Sequence, residues 1–282
     1  MDLEPSASNL SPMNTPAELF EHCRTHADGL VHIKPKVVFM KIEASDPRPV
    51  PMKINVPSSG IGSVTLLEAA ALVSLIKLVK PRKIFEFGTF LGYSTSLLVE
   101  NSADDCTVYS IDLGEGHVSA NPLDSFAEDE LRQDGDINDE YLRGAQRALG
   151  PRYTTSLSAA DRSRLHLIQQ DSRRFDPSAH GLHGSVDMVF VDGGHDTETV
   201  TIDTANARKM IGDSGVIIWH DFNSNIHDDV TTFVNGLAKR EPVLCIQHTM
   251  LAILLVGQAK RDFLQIGAWQ QDAPSTMSRD HT

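Results

Sequence analysis

The chain has 282 residues, 40% of them hydrophobic and 22% charged, which suits one large globular domain with extensions. Its 25 Lys and Arg against 38 Asp and Glu leave a net charge of −13. That balance argues against a nucleic-acid or anionic-membrane partner, because phosphate binding draws on clustered cations. Cys23, Cys106 and Cys245 lie far apart without CxxC spacing, which excludes a zinc ribbon and speaks against a disulfide scaffold. No apolar run reaches the roughly 18 residues of a spanning helix, and residues 1–16 lack a signal-peptide core, so a cytoplasmic protein is expected.

In chain order, residues 1–16 are rich in Ser, Pro and Asn and are expected to be disordered. A short helix is predicted over 18–26, and the alternation over 30–42 predicts a strand or hairpin. Prolines at 47, 49, 51 and 57, followed by Ser58 to Gly62, mark a loop. A helix is predicted over 65–79, with Thr65 and Glu68 spaced as a capping box and Pro81 as its stop. Strands are then predicted at 83–87, 107–112, 165–169, 186–191, 215–219, 243–247 and 251–256. Helices are predicted at 93–101, 139–149, 197–211 and 229–239.

This alternation predicts an α/β fold with a doubly wound parallel sheet. The last two strands are joined by only three residues, 248–250, too few for a crossover helix, so they should pair antiparallel. The expected organisation is an N-terminal extension (1–62), partly disordered, a cofactor-binding domain (63–258) and a C-terminal tail (259–282). Residues 113–138, rich in Asp and Glu, form a long loop: a lid or binding loop, or a solvated acidic excursion.

Ligands of open α/β sheets sit beyond the carboxyl ends of the strands. The predicted strand ends carry Glu86, Asp112, Asp171, Asp192 with His195, and His220 with Asp221. One acid at a strand end is commonly a helix cap, but five on one rim are hard to assign to capping alone. After Glu86 the chain turns through Gly88 and Gly92 into a helix, a layout suited to a nucleoside-type cofactor. Phe90 stands where a dinucleotide fingerprint has its middle glycine, and no Walker lysine follows. Asp112, about 20 residues past Gly92, is spaced to bind ribose hydroxyls. Asp171 and Ser172 are candidates for an adenine contact, or for a helix N-cap. His195 is a candidate base. Asp192 and Asp221, on neighbouring strands, make a hard oxygen pair suited to Mg²⁺ or Ca²⁺.

Residues 85–94, Phe-Glu-Phe-Gly-Thr-Phe-Leu-Gly-Tyr-Ser, resemble the first motif of catechol and caffeoyl-CoA type O-methyltransferases. Residues 190–195, Phe-Val-Asp-Gly-Gly-His, with Trp219-His-Asp221, resemble the bacterial branch containing macrolide-sugar O-methyltransferases and cephalosporin-hydroxylase-like proteins. Over about residues 65–256 the chain thus resembles the class I S-adenosylmethionine-dependent methyltransferases. The resemblance implies a Rossmann-like seven-stranded sheet with an antiparallel last strand. It implies that Glu86, Gly88, Thr89, Gly92 and Ser94 hold the methionine part of S-adenosylmethionine, Asp112 the ribose, and Asp171 with Ser172 the adenine. It further implies that Asp192 and Asp221 hold Mg²⁺, with Asp192 and His195 in catalysis.

The chain departs from the catechol pattern in two places. Phe222 replaces the Asn after the second aspartate, leaving His220 as the candidate third ligand, and the catechol-type lysine is missing. The expected activity is methyl transfer to a hydroxyl of a small molecule. The competing readings are a cofactor-binding accessory protein without catalysis and, disfavoured by Phe90, an NAD-dependent oxidoreductase. The N-terminal extension is a candidate interface for a homo-oligomer.

Overall fold

Alternating strands and helices build one eight-stranded sheet in a computed structural model that describes residues 11–56, 64–113, 146 and 150–268. The strands are β1 (Gly29–Ile33), β2 (Lys83–Phe87), β3 (Thr107–Asp112), β4 (Leu165–Gln169), β5 (Met188–Val191), β6 (Gly215–Trp219), β7 (Pro242–Ile246) and β8 (Ala252–Val256). Their order across the sheet is β1-β7-β8-β6-β5-β2-β3-β4. Every pairing is parallel except those of β8, which runs antiparallel to both β6 and β7. The doubly wound sheet and its antiparallel last strand are as expected. His248, at φ 62°, makes the reversal in the short connection before β8.

The strand count differs from the seven predicted, because residues 29–33 add an eighth strand parallel to β7. The rest of the predicted 30–42 hairpin is instead a helix, α2 (Pro35–Ser45). Pro35 in its first turn carries the φ a helix needs and loses no intrahelical donor. Residues 11–16, expected to be disordered, are held by the same strand. Met13 N–H donates to His32 O (2.8 Å), and Lys34 N–H to Met13 O (3.0 Å). Thr15 then caps α1 (Pro16–Thr25) by accepting from Glu18 N–H. Apart from residue 146, the predicted 139–149 helix lies outside the described residues, as do residues 1–10, the 58–62 loop, the acidic loop past residue 113 and the tail beyond 268.

Apolar strand residues point alternately to two layers. Ile84, Val108, Phe190 and Ile218 pack under α3 (Leu66–Val79) and α4 (Tyr93–Asn101). Phe85, Phe87, Val189, Ile217 and Trp219 pack under α5 (Thr197–Ile211) and α6 (Asp228–Ala238). The central strands β5 and β6 are buried at every position, which is why they read as continuous apolar runs. The capping box of α3 forms as its spacing predicts.

Lys41 on α2 is fully buried. Its Nζ donates to the carbonyls of Phe263 (2.7 Å), Ile266 (2.9 Å) and Leu264 (3.4 Å), at the end of helix α7 (Gly257–Gln265). Burial pulls its pKa down to about 8. Lys41→Met keeps the volume and strands these carbonyls, so a loss of about 1–3 kcal/mol is expected from urea denaturation.

Candidate functional site

Residue Glu86 ends up inside the protein, fully buried near the carboxyl end of β2. Its Oε2 accepts from Thr95 Oγ1 (2.5 Å) and Ser110 Oγ (2.6 Å), while Oε1 is buried without a partner. Burial raises its pKa to about 7, against the hydroxyls of Ser110, Ser94 and Thr95. Thr89 Oγ1 joins the same net through Ser110 Oγ (2.6 Å). The turn then uses positive φ at Gly88 (90°), Phe90 (47°) and Gly92 (83°) to reach the N-terminus of α4. At the two glycines the protein itself fills the space of a side chain. A Cβ on Gly88 would lie 1.9 Å from Asp192 O, and one on Gly92 would lie 2.5 Å from Thr154 Cγ2.

At the end of β3, Asp112 folds back onto this turn. Its Oδ2 accepts from Phe90 N–H (2.6 Å) and Gln146 Nε2 (2.9 Å), and its Oδ1 from Leu113 N–H (2.7 Å). Burial still raises its pKa above the usual range. Asp171 and Ser172 follow the edge strand β4. Asp171 accepts from Arg173 N–H (3.0 Å) and pairs with the Arg173 guanidinium, which lowers its pKa. The capping alternative raised for Asp171 is therefore realised, on a single 3-10 turn.

The ends of β5 and β6 bring together Asp192, His195, His220 and Asp221. His195 Nε2 lies 2.9 Å from Asp221 Oδ2. His220 Nδ1 lies 3.0 Å from that same oxygen and 3.1 Å from Asp192 Oδ1. On its far side, His220 Nε2 faces Glu68 Oε2 of α3 at 3.4 Å. Burial would neutralise His220, but Asp192, Asp221 and Glu68 outweigh it and hold the pKa well above the ordinary histidine value. Burial likewise opposes ionisation of Asp221, and the two imidazoles override it, pulling that carboxyl far below its usual range. Asp221 adopts φ 59°, between the buried side chains of Trp219 and Phe222. Phe222, where the catechol-type pattern has Asn, is packed into the core.

Two members of this cluster escaped the sequence reading as site residues. Glu68 had a local signal only as a helix cap; its pairing with His220 spans the fold. His227, just before α6, stacks on His195 with ring centroids 3.8 Å apart. Its closeness in sequence to His220 and Asp221 was the available clue.

The donors converge as cation ligands do. Asp192, His220 and Asp221 each offer one ligand atom within 4.8 Å of the others. An ion with bonds of about 2.1 Å places neighbouring octahedral donors about 3 Å apart, the spacing seen from His220 Nδ1 to both carboxylates. The residues therefore fit a divalent cation. Near the turn, Glu86 Oε1 is a buried oxygen without a hydrogen-bond partner, a position that a ligand's donor group would satisfy.

Residues 85–222 match a family model described as a methyltransferase domain. Over that stretch, just under half of its length, the chain is similar to methyltransferase domains. Among solved structures, it is similar to the S-adenosylhomocysteine-bound methyltransferase PaMTH1 of Podospora anserina. There the identity is 15% and the TM-score 0.45, with 83% of this chain and 91% of the other covered. It is also similar to the O-methyltransferase TomG of Streptomyces achromogenes, involved in tomaymycin synthesis and bound to S-adenosylmethionine. That match has 16% identity and a TM-score of 0.46, covering 78% and 89%. An O-methyltransferase of Bacillus cereus in complex with S-adenosylhomocysteine matches at 16% identity and TM-score 0.41, covering 79% and 90%. No curated protein matches the chain. Among the described residues, no helix is long and apolar enough to cross a membrane.

Glu86 generates a prediction for this domain. Its folded pKa of about 7 exceeds the ordinary 4.5, so the folded state holds the proton more tightly. Stability from this group is present below pH 4.5 and is lost as pH rises through about 7, by up to roughly 3 kcal/mol. Glu86→Gln is expected to flatten that decline, raising the unfolding free energy at pH 8 and changing it little near pH 4.5. Urea denaturation at both pH values checks this.

Proposed function

We propose that this domain methylates a hydroxyl of a small molecule, with His195 as the base. The observation that carries the reading is the His195–Asp221 contact at the carboxyl rim of the sheet, one strand from the Glu86 turn. Asp221 accepts from Nε2–H and so orients the imidazole for its role as base. Asp221 also stabilises the imidazolium that forms, and stacking on His227 fixes the ring plane. Bound S-adenosylmethionine supplies an electrophilic methyl group and leaves as S-adenosylhomocysteine. Alignment of the two reactants is then the main contribution of the protein.

In this reading Glu86, Gly88, Thr89, Gly92 and Ser94 hold the amino-acid end of that cosubstrate. Asp112 turns its carboxylate to the ribose hydroxyls, and Asp171 with Ser172 borders the adenine. Asp192, Asp221 and His220 hold a divalent cation, which when bound polarises the acceptor oxygen. The net negative charge supports a small-molecule acceptor over nucleic acid.

His195→Asn is expected to cut turnover of hydroxylated acceptors about 10²–10⁴-fold. Affinity for S-adenosylhomocysteine, read by calorimetry, should stay within about twofold; equal turnover in the variant would remove His195 as base. Asp112→Ala should instead weaken S-adenosylhomocysteine binding about tenfold or more, since hydrogen bonds to a charged group are at stake. Unchanged affinity would remove the ribose assignment.

A further inference from the structure

We propose that the donor set around Asp221 selects a borderline first-row transition ion, such as Fe²⁺, Co²⁺ or Zn²⁺, over Mg²⁺, and that Glu68 is the outer positioning residue of that site. The inference rests on the cation site of the proposed function and adds the class of ion and the residue that tunes it.

Three observations lead there. First, an imidazole occupies the position that completes the two-aspartate pair: His220 Nδ1 lies 3.0 Å from Asp221 Oδ2 and 3.1 Å from Asp192 Oδ1. Imidazole suits Fe, Co, Ni and Zn, whereas Mg²⁺ favours carboxylate, carbonyl and water oxygens. Second, the other nitrogen of His220 faces a carboxylate, Glu68 Oε2 at 3.4 Å. A carboxylate behind a histidine is the usual outer partner of a metal-ligating imidazole; it sets the tautomer and raises the donor strength. Third, Glu68 is itself immobilised. It is buried, and its oxygens accept from Thr65 N–H (2.6 Å) and Met250 N–H (2.7 Å), tying α3 and the turn before β8 to the site. His220 Nε2 makes no hydrogen bond of good geometry but has Glu68 Oε2 3.4 Å away, so a cation that takes Nδ1 would leave the remaining N–H beside that carboxylate. His195 meets the same Asp221 oxygen, and with His227 it forms a second donor group sharing that aspartate, which adds nitrogen donors beside the site.

The test uses the full chain freed of metal by a chelator and needs no turnover. Co²⁺ is titrated and its visible absorption band recorded, then Mg²⁺ is added to about a hundredfold excess. The expected result is a saturable Co²⁺ band that survives the Mg²⁺ challenge. His220→Glu should reverse the preference, so that the same Mg²⁺ excess abolishes the band. Glu68→Gln retains a residue type compatible with the capping box, so α3 should stay folded, as circular dichroism verifies. It should weaken Co²⁺ binding about ten- to a hundredfold and shift the band.

Displacement of Co²⁺ from the unaltered protein by comparable Mg²⁺ would overturn the proposed class of ion. An unchanged Co²⁺ affinity in folded Glu68→Gln would overturn the positioning role. Absence of any Co²⁺ band would overturn both. None of these results touches the methyl-transfer reading, which is decided by S-adenosylhomocysteine titration and by turnover of His195→Asn.

Discussion

The packing of Gly88 against the carbonyl of Asp192 is the constraint on which the rest of the site depends. A Cβ at position 88 would stand 1.9 Å from that oxygen, so any side chain there would drive the two loops apart. Because the contact is backbone to backbone, the turn after β2 and the loop after β5 behave as one rigid rim. The first carries Glu86, Thr89 and the N-terminus of α4; the second carries Asp192 and His195. In the proposed methyl transfer, this contact would hold the donor side and the acceptor side of the site at a fixed distance.

Desolvation sets the electrostatics on both sides of that rim. Glu86 is isolated among hydroxyls, and its charge is costly, so its proton is held to about pH 7. Asp221 is almost as enclosed, yet two imidazoles press against one of its oxygens and keep it ionised. The difference is that Asp221 has cationic partners and Glu86 only neutral hydroxyls. Asp203 on α5 belongs with Glu86: it is buried, neither oxygen has a hydrogen bond of good geometry, and burial raises its pKa to about 7. It lies beneath Gly193, where a Cβ would come within 3.2 Å of its Oδ2, in the loop that presents His195.

Much of this architecture was legible in the sequence because it follows from local periodicity. The β5 and β6 runs are apolar at every position, since both faces of those strands are covered. Residues 197–211 carry a helical pattern under an Asp196 cap that accepts from Thr199 N–H. Where local signals were ambiguous, tertiary pairing decided. Residues 29–33 form a strand because β7 offers an unpaired edge, and residues 35–45 form a helix because Pro35 starts one there. Residues 11–16 had a disordered composition, yet the edge of β1 holds them.

The sequence by itself determined the order of the strands along the chain, the glycine turn and the acids that close the strands. Those features rest on spacings of a few residues. The tertiary structure decided which of those acids meet. It separated Asp171 onto an edge turn with Arg173 and gathered Asp192, His195, His220 and Asp221 into one cluster. It also brought Glu68, a helix cap in the sequence, against the back of His220 across the whole domain. Such contacts arise where non-adjacent segments pack, and the distance between two side chains from different elements is set by the sheet order rather than by any local pattern.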